Sequence, residues 1–469
     1  MNRIKLTKYS LCRIGALLLV AVMLLPVLCA CDGGNGTQTP TSEGTTDTTV
    51  GATLNGVPIE QYEIRFAWRD SNKEQDAAKE IREAIKTAFG VTLKVLEETD
   101  TAGEHLIMVG DRDGGEITSS SMELTETDYA LTRDDNSVYV LAKSIYGMQQ
   151  AAKELCDRIT ASAESRALLI GKGSVQSYAE KIVNSMTFNI RNWSPTEAHL
   201  ARISVTIKNA SYPDTIGFQE FGKPNAGWDW AEKLMAREDI SSIYAMVGDD
   251  RGDGTGERAA IFYRKDKYRL IESGTKWLYG NDPLGSDTPG RVRVEHVSNH
   301  GDYYRVYTYV LLERISDGVR VAHINTHLDT VSYYQTENDP TTATGLEVQT
   351  KQLSYAIAMA KKLHEENNCT VVFTGDFNAK PTFDSFKSIT AAGFSWTEQI
   401  AKKRVGSQVD DKYLEENLTI CKDIDHIFLL DDNPYCLTYT ICDKKISYRT
   451  DGEDYASDHL ARYATYIAD

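Results

Sequence analysis

The chain has 469 residues, 41% of them hydrophobic and 25% charged, with 68 acidic against 51 basic side chains and a formal net charge of −17. So acidic a balance lacks the basic footprint that gives non-specific nucleic-acid affinity, which argues against a general nucleic-acid binder and leaves room only for a local basic cleft. The eight cysteines show no CxxC or Cys/His spacing suited to zinc.

At the N-terminus, Arg3, Lys5, Lys8 and Arg13 precede an apolar run from Ile14 to Ala30. The run is short for a bilayer span and has a basic flank only upstream, so residues 1–30 read as a signal peptide rather than a transmembrane anchor. Its end, Leu28-Cys29-Ala30-Cys31, resembles the bacterial lipoprotein signal, which implies that Cys31 is acylated and becomes the mature N-terminus. The expected location is therefore extracytoplasmic, with the protein held on the bacterial cell membrane by this lipid alone. Removing the signal takes four basic residues and moves the formal charge from −17 to −21. Residues 31–53 are rich in Gly, Thr and Ser and read as a flexible tether. Cys156, Cys369, Cys421, Cys436 and Cys442 follow; an odd set is no disulfide framework. Cys436 with Cys442 is a candidate bridge, against the simpler reading of small buried hydrophobes.

The rest of the chain is too long for one small core and suggests two domains. Over residues 54–180, Glu74–Phe89 reads as a helix, with Ala78, Ile81, Ile85 and Phe89 on one stripe and Gly90 as its stop. Strands are expected at Val91–Leu96 and His105–Val109, and a hairpin from Tyr129–Leu131 and Val138–Leu141 around Asp134-Asp135-Asn136. A second helix covers Gly147–Ile159. With no cluster of catalytic residue types, this region is expected to be a small α+β accessory domain.

Residues 181–469 carry many short strands. They are expected at Ile182–Ile190, Thr215–Phe218, Ala259–Tyr263, Arg305–Leu312, Val319–Asn325, Thr370–Thr374, Ile424–Leu429 and Leu460–Ile467. Asp317-Gly318 marks a hairpin, and Leu346–Leu363 fits an amphipathic helix. Strands with interspersed helices argue for a layered α/β domain.

The ends of these strands share a chemistry. Asn189 interrupts one apolar strand, and Gln219-Glu220 closes the next. Asn325, His327 and Asp329 close another, Asp376 and Asn378 follow "VVFTG", and Asp425-His426 and Asp458-His459 complete the series. In "GDFNA" taken alone, Asp376 and Asn378 suit a turn; on an extended backbone they would share a face and form a polar site at a strand end. Burial penalises such groups unless they are paired, and six of them on successive strands point to a site.

Phe188-Asn189, Gln219-Glu220, Asn325-Thr326-His327, Gly375-Asp376-Phe377-Asn378, Asp425 and Ser457-Asp458-His459, in this order, resemble the motifs of the endonuclease/exonuclease/phosphatase superfamily. The resemblance covers about 182–469 and implies an α/β fold: a C-terminal four-layer sandwich of two packed mixed sheets with outer helices, beside the small N-terminal domain. It implies Mg²⁺, with Mn²⁺ an alternative, held by Asn189, Glu220 and Asp458, since a hard cation prefers oxygen ligands. Asp376 would activate water beside Asn378, and His327 and His459 would serve the leaving oxygen. Glu257, in a "GER" stretch, would support His327, and Asp425 would support His459. Arg305 would bind substrate, although the pair that follows it here is Thr308-Tyr309 rather than Thr-Trp. His323, His364 and His426 are read as structural or surface residues.

The expected activity is Mg²⁺-dependent hydrolysis of a phosphoester, by preference a phosphodiester, by a monomeric enzyme. The substrate, whether nucleic acid, lipid headgroup or small phosphodiester, is not legible. Ser273–Gly290 resembles a loop of the deadenylase-like and bacterial branch. The alternatives are an inactive cell-surface binding lipoprotein on the same fold, or a secreted nuclease.

Overall fold

The computed structural model describes residues 51–67, 72–98, 103–192, 195–225, 227–292, 304–330, 340–407, 424–449 and 452–469. The signal peptide, nearly all of the tether, Cys31 and Cys421 lie outside them. Ala52–Asp469 forms one compact unit. Among the described residues no helix is long and apolar enough to cross a membrane.

In the N-terminal part of this unit, Tyr62–Phe66 (β1), Val95–Glu97 (β2), His105–Val109 (β3), Asp128–Arg133 (β4), Ser137–Ala142 (β5) and Ser174–Ser177 (β6) form a sheet in the order β2-β1-β3-β5-β4-β6. The β4–β5 hairpin pairs as expected. The strand expected from Val91 begins only at Val95, and β1 and β6 carry too weak an alternation to be read from sequence. Helices Lys73–Phe89 (α1) and Ile145–Ala161 (α2) bury Ala78, Ile81, Ile85, Met148, Ala152 and Leu155 in one core with one face of this sheet. Helix α1 stops at Gly90, whose φ of 78° lets its N–H return to the Lys86 carbonyl.

Residues from Ile182 onward build two larger mixed sheets. The first has the order β9-β10-β8-β7-β19-β18-β16, from Ile182–Asn189 (β7), Thr215–Gln219 (β8), Tyr244–Val247 (β9), Ile261–Arg264 (β10), Lys403–Val405 (β16), Cys436–Ile441 (β18) and Arg462–Ile467 (β19). The second has the order β11-β12-β13-β14-β17-β15, from Tyr268–Trp277 (β11), Val306–Arg314 (β12), Arg320–His327 (β13), Thr370–Asp376 (β14), Ser395–Trp396 (β15) and Asp425–Leu430 (β17). Helices Glu197–Asn209 (α3) and Trp230–Met235 (α4) pack on the outer face of the first sheet through Leu200, Ile203, Ile207 and Leu234. Helices Pro340–Asn367 (α5) and Asp384–Ala391 (α6) cover the second through Leu353, Ala356, Phe386 and Ile389. The result is a four-layer α/β sandwich.

Side chains two apart in a strand face the same way. Along β7 the series facing the other sheet is Val183, Ser185, Thr187 and Asn189; along β13 it is Val321, His323, Asn325 and His327; along β14 it is Val372, Thr374 and Asp376. Each series is apolar at one end and polar at the other. The apolar ends join Ile427, Leu429, Ala464 and Tyr466 in a core between the sheets. The polar ends converge on the opposite edge.

Between these extremes lies a buried polar network. Gln219 Nε2 donates to Asn325 Oδ1 at 2.6 Å, and Asn325 Nδ2 donates to the carbonyls of Phe218 and Ala260. Thr374 Oγ1 also donates to Asn325 Oδ1, and His323 meets Thr374 at 2.6 Å. Gly217 makes this approach possible, because a Cβ there would overlap Thr374 Oγ1 and Asn325 Oδ1.

The N-terminal part packs at the apolar end. Tyr146 and Tyr178 cluster with Ile467, Ile182, Tyr435 and Leu437, and Lys181 pairs with Asp469 at 2.8 Å. Ile182 opens the eight-residue β7 and Asn189 closes it, so this contact stands about 25 Å from the polar edge. Cys436 and Cys442 are both free thiols, so the candidate bridge does not form.

Candidate active site

The polar edge brings together residues from eight separate segments. Asp376 closes β14 and is almost fully buried. Its two oxygens are used differently. Oδ1 accepts the backbone N–H of Asn378 at 2.9 Å, which is the turn that "GDFNA" suggests. Oδ2 accepts from Asn189 Nδ2 at 2.9 Å and lies 3.6 Å from His327 Nε2 and 3.9 Å from His459 Nδ1. The turn reading of this stretch is therefore realised, and Asp376 Oδ2 faces the two histidines at the strand end. Asn378 does not share a strand face with Asp376, because the chain turns into the left-handed region there, with φ at 46°. Its Nδ2 donates to the Leu328 carbonyl at 2.9 Å, tying the ends of β13 and β14 together.

Each histidine has the expected carboxylate. His327 Nδ1 is 3.2 Å from Glu257 Oε1, and His459 Nδ1 is 2.9 Å from Asp425 Oδ2. Such a contact fixes the tautomer and leaves Nε2 as the atom for proton transfer. The two carboxylates are supported unequally. Burial pushes Glu257 up, but the His327 imidazole and the Arg251 and Arg305 guanidiniums outweigh it and hold the carboxyl down at about 2. Burial likewise opposes ionisation of Asp425, and is outweighed by His459 and Arg462. Asp376 goes the other way: burial and the Asp425 charge push its carboxyl above the usual carboxylate range, against the pull of His327 and His459.

Arg305, expected to bind substrate, is buried with Nε 3.3 Å from Asp329 and Nη1 3.6 Å from Glu257. In this geometry it braces acids behind His327. Arg251 does the same from the other side, with Nη1 at 2.8 Å from Glu257. Nothing in its sequence context singled it out, because a charged residue in "GDDRGDG" reads as a solvated loop. His323 and His426 are wholly buried, bonded to Thr374 and to the Ala379 carbonyl, and His364 meets the Cys369 carbonyl, in line with structural roles.

Of the expected metal ligands, Glu220 and Asp458 stand at the half-buried rim and Asn189 is wholly buried. Glu220 and Asp458 are close enough that the Glu220 charge adds to burial in pushing Asp458 up, with His459 and Arg191 opposing. Arg191 Nε lies 3.9 Å from Asp458 Oδ2. Two crowded carboxylates of this kind are the hard oxygen donor set that a divalent cation takes. Asn189 fits less directly: Nδ2 points to Glu220 Oε1 at 3.2 Å and to Asp376, and Oδ1 accepts the Arg191 N–H. Its amide would have to turn over to offer oxygen beside Glu220. Asp376, Asp425 and His459 also lie close enough to hold an ion, but a metal there would compete with the His459–Asp425 bond. Glu220, Arg191 and Asn378 have φ of 56°, 59° and 46°, three of the ten non-glycine left-handed residues described. At Glu220 and Arg191 this conformation costs roughly 1 kcal/mol each, and asparagine at 378 adopts it more readily.

A family model described as the Endonuclease/Exonuclease/phosphatase family matches residues 186–459. Its members are phosphoester hydrolases, phosphatases and nucleases among them, and are generally divalent-metal dependent. No curated protein matches the chain. Similar solved structures include the endonuclease/exonuclease/phosphatase from Bacteroides vulgatus, 24% identical, covering 61% of this chain and 99% of that one with a TM-score of 0.47. The mannosyl-6-phosphatase of Bacteroides thetaiotaomicron is 19% identical, with coverage of 61% and 99% and a TM-score of 0.47. The human Nocturnin catalytic domain with bound sulfate is 15% identical, with coverage of 62% and 95% and a TM-score of 0.41. Matched by that model over more than half of its length, the chain belongs to the endonuclease/exonuclease/phosphatase family of phosphoester hydrolases.

Proposed function

We propose that the protein is a Mg²⁺-dependent phosphodiester hydrolase held outside the cytoplasm by a lipid on Cys31. The observation that carries the catalytic part is the meeting of Asp376 with two histidine–carboxylate pairs, His327–Glu257 and His459–Asp425, at one strand edge. In this reading Asp376 Oδ2 accepts the proton of the attacking water, and its raised proton affinity suits that role. Asn378 lies beside it to orient the water or the phosphoryl group. His327 and His459 present Nε2 to the phosphoryl and leaving oxygens, each kept in one tautomer by its carboxylate. Glu220 and Asp458 are the residues that would hold the cation, with Asn189 joining them once its amide is reversed. When bound, a divalent cation supplies Lewis acidity and offsets charge on the phosphoryl oxygens. The anchoring part rests on Leu28-Cys29-Ala30-Cys31 and the polar tether that follows.

A panel comprising a nitrophenyl phosphodiester, DNA, RNA, sphingomyelin and inositol phosphates, with and without Mg²⁺, tests the activity. Turnover is expected only with metal, and chelation should abolish it without unfolding the protein. Glu220→Gln should lose activity in the same way; full activity of that variant in chelator would remove the metal from the mechanism.

Asp376→Asn preserves shape and turn geometry while removing the base. Its kcat should fall on the order of 10²-fold or more, with Tm little changed or raised because a crowded acid has gone. Near-normal kcat would return Asp376 to a purely structural role.

Cys31→Ser should release the protein from the membrane fraction or leave its signal uncleaved. Normal processing and continued anchoring of that variant would refute the lipid.

A further inference from the structure

Helix α5 reaches the site through two glutamines one turn apart, Gln349 and Gln352, neither of which the chemistry above requires. Gln349 has no exposed surface. Its Nε2 donates to the carbonyl oxygens of Asp329 at 2.6 Å, Phe377 at 3.1 Å and Asn378 at 3.0 Å. Its Oε1 accepts from Ser385 Oγ of α6 at 2.9 Å. Two amide hydrogens therefore serve three acceptors, with the adjacent Phe377 and Asn378 carbonyls sharing one. Gln352 reinforces the first contact: Oε1 accepts the Asp329 N–H and Nε2 donates to Asp329 Oδ2, both at 3.0 Å.

These carbonyls sit where regular pairing ends. β13 stops at His327 and β14 at Asp376, and Asn378 takes up a left-handed conformation two residues later. Just beyond those points only isolated bonds continue the pairing, Leu328 N–H to the Asp376 carbonyl at 3.0 Å and Phe377 N–H to the Ile424 carbonyl at 2.8 Å, and the chain then leaves the sheet. A side chain from a third element that bonds both loops at once adds to these bonds and to the Asn378–Leu328 contact. Leucine at 349 would fill the space but leave the polar contacts unmade, and a buried carbonyl without a donor is destabilising.

We propose that Gln349 is a positioning residue. By holding the carbonyls of Asp329, Phe377 and Asn378 together, it fixes the loops after β13 and β14 and so the placement of Asp376, Asn378 and His327. The effect on turnover rests on the hydrolase reading above; the holding of the loops does not.

The test compares Gln349→Glu, Gln349→Leu and Ser385→Ala with the wild type, using a nitrophenyl phosphodiester and Mg²⁺, beside amide hydrogen exchange on the same samples. Gln349→Glu is nearly isosteric but turns an oxygen toward three carbonyl oxygens. Its kcat should fall on the order of tenfold or more with a smaller change in KM, the pattern of misplaced reacting groups. Protonation gives a carboxyl one O–H donor back, so the ratio of variant to wild-type kcat should rise as pH is lowered from neutral. A merely structural glutamine would lower Tm without that pH-dependent recovery. Ser385→Ala, which removes only the bond that orients the amide, should show a milder loss of kcat and covers the case in which the position 349 variants do not fold.

Exchange at the Leu328, Phe377 and Asn378 amides should quicken in Gln349→Leu relative to the middle of β14. Wild-type kcat in folded Gln349→Glu and Gln349→Leu overturns the proposal, and so does unchanged exchange at those three amides. If the wild type hydrolyses no phosphoester, the hydrolase reading fails on its own, and the exchange rates still support or overturn the holding of the loops.

Discussion

A short buried bond, from the Gln219 amide to the Asn325 carboxamide at 2.6 Å, anchors the network that joins the two sheets just below the site. Each partner is wholly buried and belongs to a different sheet. Asn325 passes the connection on to the Phe218 and Ala260 carbonyls, so β8, β10 and β13 share one fixed spacing. Glu220 follows Gln219 by one residue and His327 follows Asn325 by two. The distance between a carboxylate at the rim and a histidine of the catalytic set is thereby inherited from this contact. An amide pair suits the place, since amides offer both a donor and an acceptor and need no counter-charge inside the protein.

From that bond toward the edge, polarity rises along every central strand. Val372, Thr374 and Asp376 show it on β14, and Val321, His323, Asn325 and His327 on β13. The apolar end holds the sandwich together, and the polar end carries charges that burial alone would neutralise. Opposing charges settle each case. Glu257 sits between Arg251 and Arg305 and stays ionised, whereas burial, with the Asp425 charge adding to it, pushes Asp376 toward the proton-bound form against the pull of His327 and His459. In the proposed mechanism the two kinds of carboxyl have different tasks, one to steady a histidine and one to accept a proton.

Much of this was legible because local pattern and tertiary role agree in the central strands. Their β-branched and aromatic runs locate β7, β8, β13, β14 and β17 to within a few residues, and the polar residues at their ends name Asp376, His327, Asp425 and His459. What stayed hidden depends on contacts rather than local pattern. β11 is half exposed at a sheet edge, and its Gly274 gives way to the Tyr309 ring, so "YRLIESGTKW" lacks a strand's alternation. Helix α3 starts at the Thr196 cap, a short signal among other polar residues. Arg251, Gln349 and Gln352 sit in stretches that read as a loop and as the polar side of a helix. Only the folded chain shows them buried against Glu257, Asp329 and Asn378. The carboxamide of Asn189 is the reverse case: its position was readable and its orientation was not, because that depends on the Arg191 backbone N–H.

If the bond between the sheets governs the site, Gln219 and Asn325 must be coupled both in stability and in catalysis. The direct measurement is a double-mutant cycle with Gln219→Met and Asn325→Leu, following denaturant unfolding and kcat on the same samples. Each single change should cost about 1–3 kcal/mol and lower kcat in the folded protein, and the pair should be non-additive by roughly 0.5–3 kcal/mol. Additive losses of stability together with unchanged kcat would contradict the account, and would mean that the site is positioned by its own loops instead.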